Sequence, residues 1–552
     1  MKSLSPSSLI PTIQAFNSTH IESWPHSQLV YRNSIDAWPC LSYKSSTYLA
    51  PYMNITRYSE HLSDGYIFFT PAEISQDGEQ SPPANAYIMN MDGQLIYAAE
   101  DHSFDSCDEW VAGVTDFRAQ VYNGRPHLTC WNGCNTKDQH WGYRWGSVTF
   151  IDEEYQMLTF NPHLDVNTND LATSGYIDMH EHEMTDRNTI IVTSYNITRY
   201  NGLPVADGLF FEIDITTGEI LFEWHALDHL DMAESHWECN GAEPCDWIHL
   251  NSVQAVGDNY LISARHLFAV YLISGKDGSI IWELNGEGAG TWNTTFSAFR
   301  WQHHARATNV TEHGMTVSIF NNNHYIGGPK DPQYQSQALA FWIAMPPDPL
   351  KPPVLVRELQ AEDEAIYSGT QGSYQFDVGG GNGFVGYGLM PIAREYSPEG
   401  AMLWQAQFGY ENEIMSYRAF KGEWHGLPKA WDPTISVERS GVRKQQLIAY
   451  VSWNGATDIE AWAVFGGPTT EDLKPLGVAK KQGFETAFEL NDVACIQVGA
   501  IRNGTIVRTS NTICREESRA VEKNASYRIP LVVQSLACFA GTVLSAICIW
   551  RA

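Results

Sequence analysis

The sequence predicts an all-β protein: a six-bladed β-propeller, then a small Ig- or fibronectin-like β-sandwich, then a C-terminal transmembrane segment. Three observations carry this. An apolar strand, an Asp/Gly turn and a second apolar strand with an aromatic recur six times from Tyr66 onward. Short strands crowd together after Trp431-Asp-Pro433, and a charge-free stretch runs from Ile529 to Trp550. With 552 residues, the chain is too long for one ordinary core, so at least two domains are expected.

Residues 1–64 form an N-terminal segment without clear periodicity. The propeller is placed at 65–435. Its repeats read Tyr87–Tyr97, Val148–Leu158, Leu209–Trp224, Val270–Trp282, a proline-rich Ala340–Val356, and Ile392–Trp404. The turn centres fall near Gly93, Tyr155, Gly218, Gly278, Pro346 and Gly400, which gives spacings of 62, 63, 60, 68 and 54 residues. A hairpin repeat of this length is longer than the common propeller repeats but close in kind. Radial closure of six units would protect the sheet edges, and two stacked β-sandwiches are the alternative. The sandwich is placed at 445–515, from Leu447–Gly455 through Glu460–Phe465 and Cys495–Val498 to Thr505–Val507. Residues 529–550, flanked by Arg528 and Arg551, are long enough for a bilayer, which takes about 20 residues. A GPI signal after Asn524-Ala-Ser526 and a tail-anchored cytosolic protein are the rival readings.

Composition excludes some classes. There are 34 Lys plus Arg against 64 Asp plus Glu, for a formal charge of −30. Such a surface repels nucleic acid and anionic headgroups, so an anionic substrate needs a local cationic pocket. Of ten cysteines, Cys130 and Cys134, Cys239 and Cys245, and Cys495 and Cys514 are read as disulfide candidates. Zinc is disfavoured because the close pairs lack CxxC spacing. Sequons begin at Asn17, Asn54, Asn196, Asn293, Asn309, Asn503 and Asn524. Together these place the bulk of the chain in the secretory lumen or outside the cell, held by one membrane pass. The N-terminus has no apolar h-region, so either a first exon is missing or an unusual signal is used.

Three segments share one grammar: a His-bearing stretch, a polar turn, an apolar strand. They are Asp178-Met-His-Glu-His-Glu183, Trp247-Ile-His-Leu-Asn251 with Tyr260–His266, and Trp301-Gln-His-His-Ala-Arg306. In a propeller, equivalent positions of successive blades converge on the central channel, so His180, His249 and His303 are expected to meet there. A turn at Gly257-Asp-Asn259 would bring His249, Asn251 and Arg265 together. Imidazole, amide and guanidinium suit an oxyanion such as sulfate or phosphate, although an ordinary buried hairpin explains the spacing as well. A metal on His180, Glu181 and His182 is disfavoured, because alternate strand residues face opposite ways.

On these motifs, with Gly386-Tyr-Gly388, Glu395–Gly400 and Val451–Gly455, the chain resembles the fungal arylsulfotransferase (ASST) family over roughly residues 65 to 515. That family is related to the bacterial PAPS-independent aryl sulfate sulfotransferases. The resemblance implies transfer of a sulfuryl group from a phenolic sulfate ester to another phenol through a sulfohistidine. His303 matches the sulfated histidine. His249, Asn251 and Arg265 match the group that holds the sulfuryl oxygens, and His180 matches a candidate acid/base. His304, adjacent to the nucleophile, is a further substrate-binding candidate. No cofactor is implied, which fits the missing phosphate loop. The alternatives are a membrane-anchored propeller that binds a partner or glycan without catalysis, and a secondary-metabolism cyclase or isomerase on the same scaffold.

Overall fold

The computed structural model describes residues 11–23, 38–73, 86–99, 111–135, 143–168, 175–241, 243–293, 298–325, 328, 330–361, 364–440 and 446–514. Among these, regular structure is β-strand apart from four 3-10 turns. Six antiparallel sheets follow one another along the chain. The second to fifth open on Val111–Tyr122, His182–Met184, Leu250–Val256 and His303–Thr311. The sixth opens on Ser373–Gln375 and gains Asn54–Arg57 at its outer edge. The first sheet is closed by the late strand Ile414–Gly422, which pairs with Tyr66–Glu73. All six repeat turns read from the sequence join the third and fourth strands of a sheet.

The strands read as apolar runs because both faces of each sheet are covered. Ile190 and Val192 pack with Trp131 and Phe150 of the preceding sheet, while Ile191 packs with Leu250, Val253 and Ile262 of the following one. The same alternation fills every gap between neighbours, and the last gap joins Phe384 and Trp404 of the sixth sheet to Phe69 and Tyr87 of the first. Burying one such side chain contributes about 1.5–3 kcal/mol. The turn at Tyr155 has a left-handed backbone (φ 62°) where three of the other turns use glycine near +73°. It is held there because the Tyr155 hydroxyl donates to the Gly455 carbonyl at 2.7 Å and accepts from Trp424 Nε1 at 2.9 Å.

Two further sheets share one core that includes Val451, Trp462, Val464, Phe488 and Val498. The N-terminal strands Thr12–Ile13 and Ala15–Asn17 complete them by pairing with Lys474–Lys480 and Thr486–Asn491. The sequence shows no period there because strands of two and three residues are too short to carry one.

Two expectations need correction. The membrane-spanning localisation is not supported: among the described residues no helix is long and apolar enough to cross a membrane. Residues 529–550 and Asn524 lie outside the described residues. Cys130 is a free, buried thiol, whereas Cys239–Cys245 and Cys495–Cys514 are disulfides. Cys130 and Cys134 stand four residues apart on one extended strand, Arg125–Asn135. That separates them by about 13 Å, beyond disulfide reach. Among the sequons, Asn17, Asn54, Asn293, Asn309 and Asn503 are exposed and Asn196 is half-buried.

Candidate functional site

The three histidine segments enter the innermost strands of the third, fourth and fifth sheets from the same end. Their rings meet: His180 and His249 lie 4.8 Å apart between centroids, and His249 and His303 lie 6.1 Å apart, each pair edge-on. All three are buried, with exposures of 3%, 6% and 1%. The backbone is bent to achieve this. His249, Phe268, Trp301, His304 and Gln371 all take left-handed φ between 49° and 64°. Such non-glycine conformations cost free energy and concentrate at functional sites.

Each ring is held through Nδ1. Asp178 accepts from His180 Nδ1 at 2.6 Å and from its backbone N–H at 3.1 Å. Asp246 does the same for His249, at 2.5 and 3.1 Å. Among the described residues neither Nε2 has a hydrogen-bond partner, so both lone pairs are presented. His303 differs. Its Nδ1 donates to Asn322 Oδ1 at 2.6 Å, and Asn322 is fixed by donating to the Ser368 and Gln371 carbonyls. The His303 Nε2 accepts from the Gln371 N–H at 3.2 Å.

Arg265 completes the cluster. It is 6% exposed and has no carboxylate partner among the described residues. Its Nη1 donates to His266 Nε2 at 2.7 Å and its Nη2 to the Gly369 carbonyl at 3.2 Å. The guanidinium carbon lies 5.1 Å from the centre of the Trp301 ring, and Nε is buried without a partner. Burial pushes Arg265 down to about 10, even though Asp246 opposes this. Burial, then His180 and Arg265, holds His249 well below 6.5; burial, then Arg265 and His249, does the same to His303. The Asp246 carboxyl is pushed up to about 6 by burial, against the pull of His266, His180 and Arg265. A buried cation with spare donors, beside imidazoles kept neutral, favours an anion.

Asp246, His249 and His266 also offer ligand atoms within 4.8 Å of one another, close enough for a metal ion. The guanidinium on His266 Nε2 works against a second cation there.

Two of the expected residues point elsewhere. Asn251 sits in a bulge between Leu250 and Ser252 and is fully buried. Its amide donates to the Gln302 carbonyl, and its own carbonyl accepts from Arg418 Nη2 at 2.8 Å. His304 faces the opposite way from His303. It lines a cavity of about 800 Å³ at the other ends of the inner strands, together with Arg118, Glu183, Arg306 and Lys421. Between the two ends lies an ion cluster. Glu181, fully buried, receives Arg306 at 2.6 Å, Arg118 at 2.7 Å and Arg418 at 3.4 Å, and Asp116 receives Arg418 at 3.0 Å.

Asp178, read from the sequence as an orienting or solvated group, is the group that orients His180, while Asp246, His266, Asn322 and Gln371 escaped the sequence reading as site residues. An Asp three positions before His249 was a visible signal for Asp246. The contacts of Asn322 and Gln371 are made across separate strands and loops, so spacing carries no trace of them.

No curated protein matches the chain in sequence. Among solved structures, a Bacteroides caccae protein of unknown function is similar at 11% identity and TM-score 0.34, over 65% of this chain and 99% of that one. A Penicillium chrysogenum alpha-L-arabinanase complexed with arabinobiose is similar at 9% and 0.32, over 68% and 93%. A Myceliophteria thermophila Cps50 beta-propeller domain is similar at 10% and 0.28, over 72% and 95%. At such scores none of the three bears on what this chain does. The family model for arylsulfotransferase (ASST) matches residues 118–409, more than half of the chain, and spans His180, His249, Arg265 and His303. The chain therefore belongs to the arylsulfotransferase (ASST) family.

Proposed function

We propose that the protein is a six-bladed propeller that moves a sulfuryl group from a phenolic sulfate ester to another phenol through a sulfohistidine. The observation that carries this reading is Arg265: a nearly buried cation with no carboxylate partner among the described residues, bonded to the His266 imidazole and acting electrostatically on His249 and His303. A buried charge left uncompensated by its own protein suits a ligand of opposite charge.

His303 is assigned the nucleophile. Its Nδ1 partner is a neutral amide, not a carboxylate. That leaves the sulfated ring less electron-rich, and so easier to displace in the second step. In the first step Nε2 bonds to sulfur and the ester S–O bond breaks. The guanidinium of Arg265 stabilises charge on the sulfuryl oxygens, and the Gln371 N–H is placed to assist once it no longer caps Nε2. In the second step His180 or His249 takes the acceptor phenol's proton on its open Nε2, and the phenolate displaces His303. The imidazolium so formed is paired with Asp178 or Asp246, and it returns the proton to the next departing phenolate.

Release of nitrophenolate from 4-nitrophenyl sulfate with phenol as acceptor tests this. The wild type should turn over and His303→Ala should not; no release by the wild type, or equal release by the variant, defeats the reading. The cavity beyond the Glu181 cluster favours a second reading, in which the same scaffold binds a small ligand without chemistry at its far end.

A further inference from the structure

His266 is buried at 2% exposure and carries no part of the transfer described above, yet every polar atom of its ring is committed. Nδ1 lies 2.6 Å from the Asp246 carbonyl, which can only accept, so Nδ1 bears the proton. Nε2 lies 2.7 Å from Arg265 Nη1, which can only donate, so Nε2 bears the lone pair. One face of the ring stacks on Trp237 at 4.8 Å and 6°, and Trp301 meets its edge at 5.7 Å and 80°. The ring is thus locked in position and in tautomer, and apart from the Arg265 guanidinium itself the groups that lock it, the Asp246 backbone carbonyl and the Trp237 and Trp301 rings, are neutral.

We propose that His266 is a positioning residue that aims Arg265 at the anion site while leaving the guanidinium charge uncancelled. The assignment rests on the sulfuryl-transfer reading. A buried arginine is ordinarily held by a carboxylate, as Arg118, Arg306 and Arg418 are held by Glu181 in the same molecule. A carboxylate at position 266 would fix Arg265 equally well, but it would neutralise the charge and repel a sulfate ester. The two acceptors that hold Arg265, His266 Nε2 and the Gly369 carbonyl, carry no net charge. Asp246 ties the parts together: its carboxylate orients His249 and its carbonyl orients His266. One residue therefore sets the register between a reacting imidazole and the cation beside it. Among the described residues, the titratable groups that act most on the ring are His249, Asp246 and Arg265. Burial first, with His249 and Arg265 adding to it, keeps His266 neutral.

The test compares the full-length wild type with His266→Phe, which keeps the stack on Trp237 but offers no acceptor, and His266→Gln, whose amide oxygen can accept from Arg265. Kd for 4-nitrophenyl sulfate and kcat are measured for each, with thermal unfolding as a control. The Phe variant should bind the ester at least about tenfold more weakly, as expected for losing a hydrogen bond to a charged group, and Gln should restore most of the loss. Equal binding by Phe and wild type, or equal losses in Phe and Gln, overturns the proposal. A second arm needs no substrate. In ¹⁵N-histidine-labelled protein the His266 signals, identified by their loss in His266→Gln, should show the Nδ1–H tautomer, and Arg265→Met should shift Nε2. An Nε2–H tautomer, or no shift, overturns the proposal even if no sulfate ester binds. A wild type that shows both signatures but neither binds nor turns over the ester defeats the transfer reading alone.

Discussion

Arg265→Met should separate stability from activity. Burial moves Arg265 from its ordinary 12.5 to about 10, which corresponds to roughly 3 kcal/mol of charge burial that the fold leaves uncompensated. Methionine fills much of the same space without that cost. It also gives up the donations to His266 and Gly369, about 1.5 kcal/mol each at the low end for bonds to a charged group, and the contact over Trp301, about 0.5–1 kcal/mol. The terms nearly cancel, so the free energy of unfolding in urea should stay within about 1 kcal/mol of wild type. Activity has no such compensation. Losing a preorganised charge at a transition state costs about 10²–10³ in rate, read as nitrophenolate release from 4-nitrophenyl sulfate. Wild-type activity in a stable Arg265→Met protein would refute the anion-site argument. A loss of more than about 3 kcal/mol in stability would show that Arg265 is a structural cation.

Three other outcomes follow from the same geometry. Glu181→Gln should destabilise the protein by about 3–5 kcal/mol in urea, because it strips the shared carboxylate from three buried guanidiniums that outweigh burial and hold Glu181 well below the carboxylate range. Acid should unfold the protein early. Burial lowers His182 from 6.5 to about 4 and holds His249, His266, His303 and His304 well below 6.5, so the unfolded chain binds more protons below about pH 6.5. His182 alone then contributes on the order of 3 kcal/mol that is lost between about pH 6.5 and 4, and a flat thermal-midpoint profile across that window would contradict the assignment. Asp246→Asn should leave the fold intact but cut kcat by about 10²-fold or more, since an amide stabilises neither the required tautomer of His249 nor its imidazolium; an unchanged kcat would remove Asp246 from the site.

The repeat was legible because four of the six outer hairpins turn on a glycine, Gly93, Gly218, Gly278 and Gly400, each at positive φ and each followed by an aromatic four residues on. The convergence of His180, His249 and His303 was legible for a related reason, since each opens the innermost strand of its sheet. Orientation was not. His303 and His304 differ by one residue and face opposite ends of the inner strands, and the Asn251 bulge turns its amide onto Gln302. A bulge inserts one residue and redirects a side chain, which no spacing rule anticipates. The ion cluster on Glu181 draws its arginines from strands as far apart as Val111–Tyr122 and Ile414–Gly422, so only the closed ring of sheets reveals it. The Cys130 and Cys134 reading failed because extended backbone keeps close neighbours in sequence far apart in space.

Peptide mass spectrometry of the full-length protein, quenched after mixing with 4-nitrophenyl sulfate without an acceptor, tests the central claim most directly. The account predicts an adduct of about 80 Da on the peptide carrying His303, discharged when phenol is added and absent in His303→Ala. Turnover with no adduct on any histidine, or an adduct on His180 or His249 that survives His303→Ala, would contradict it.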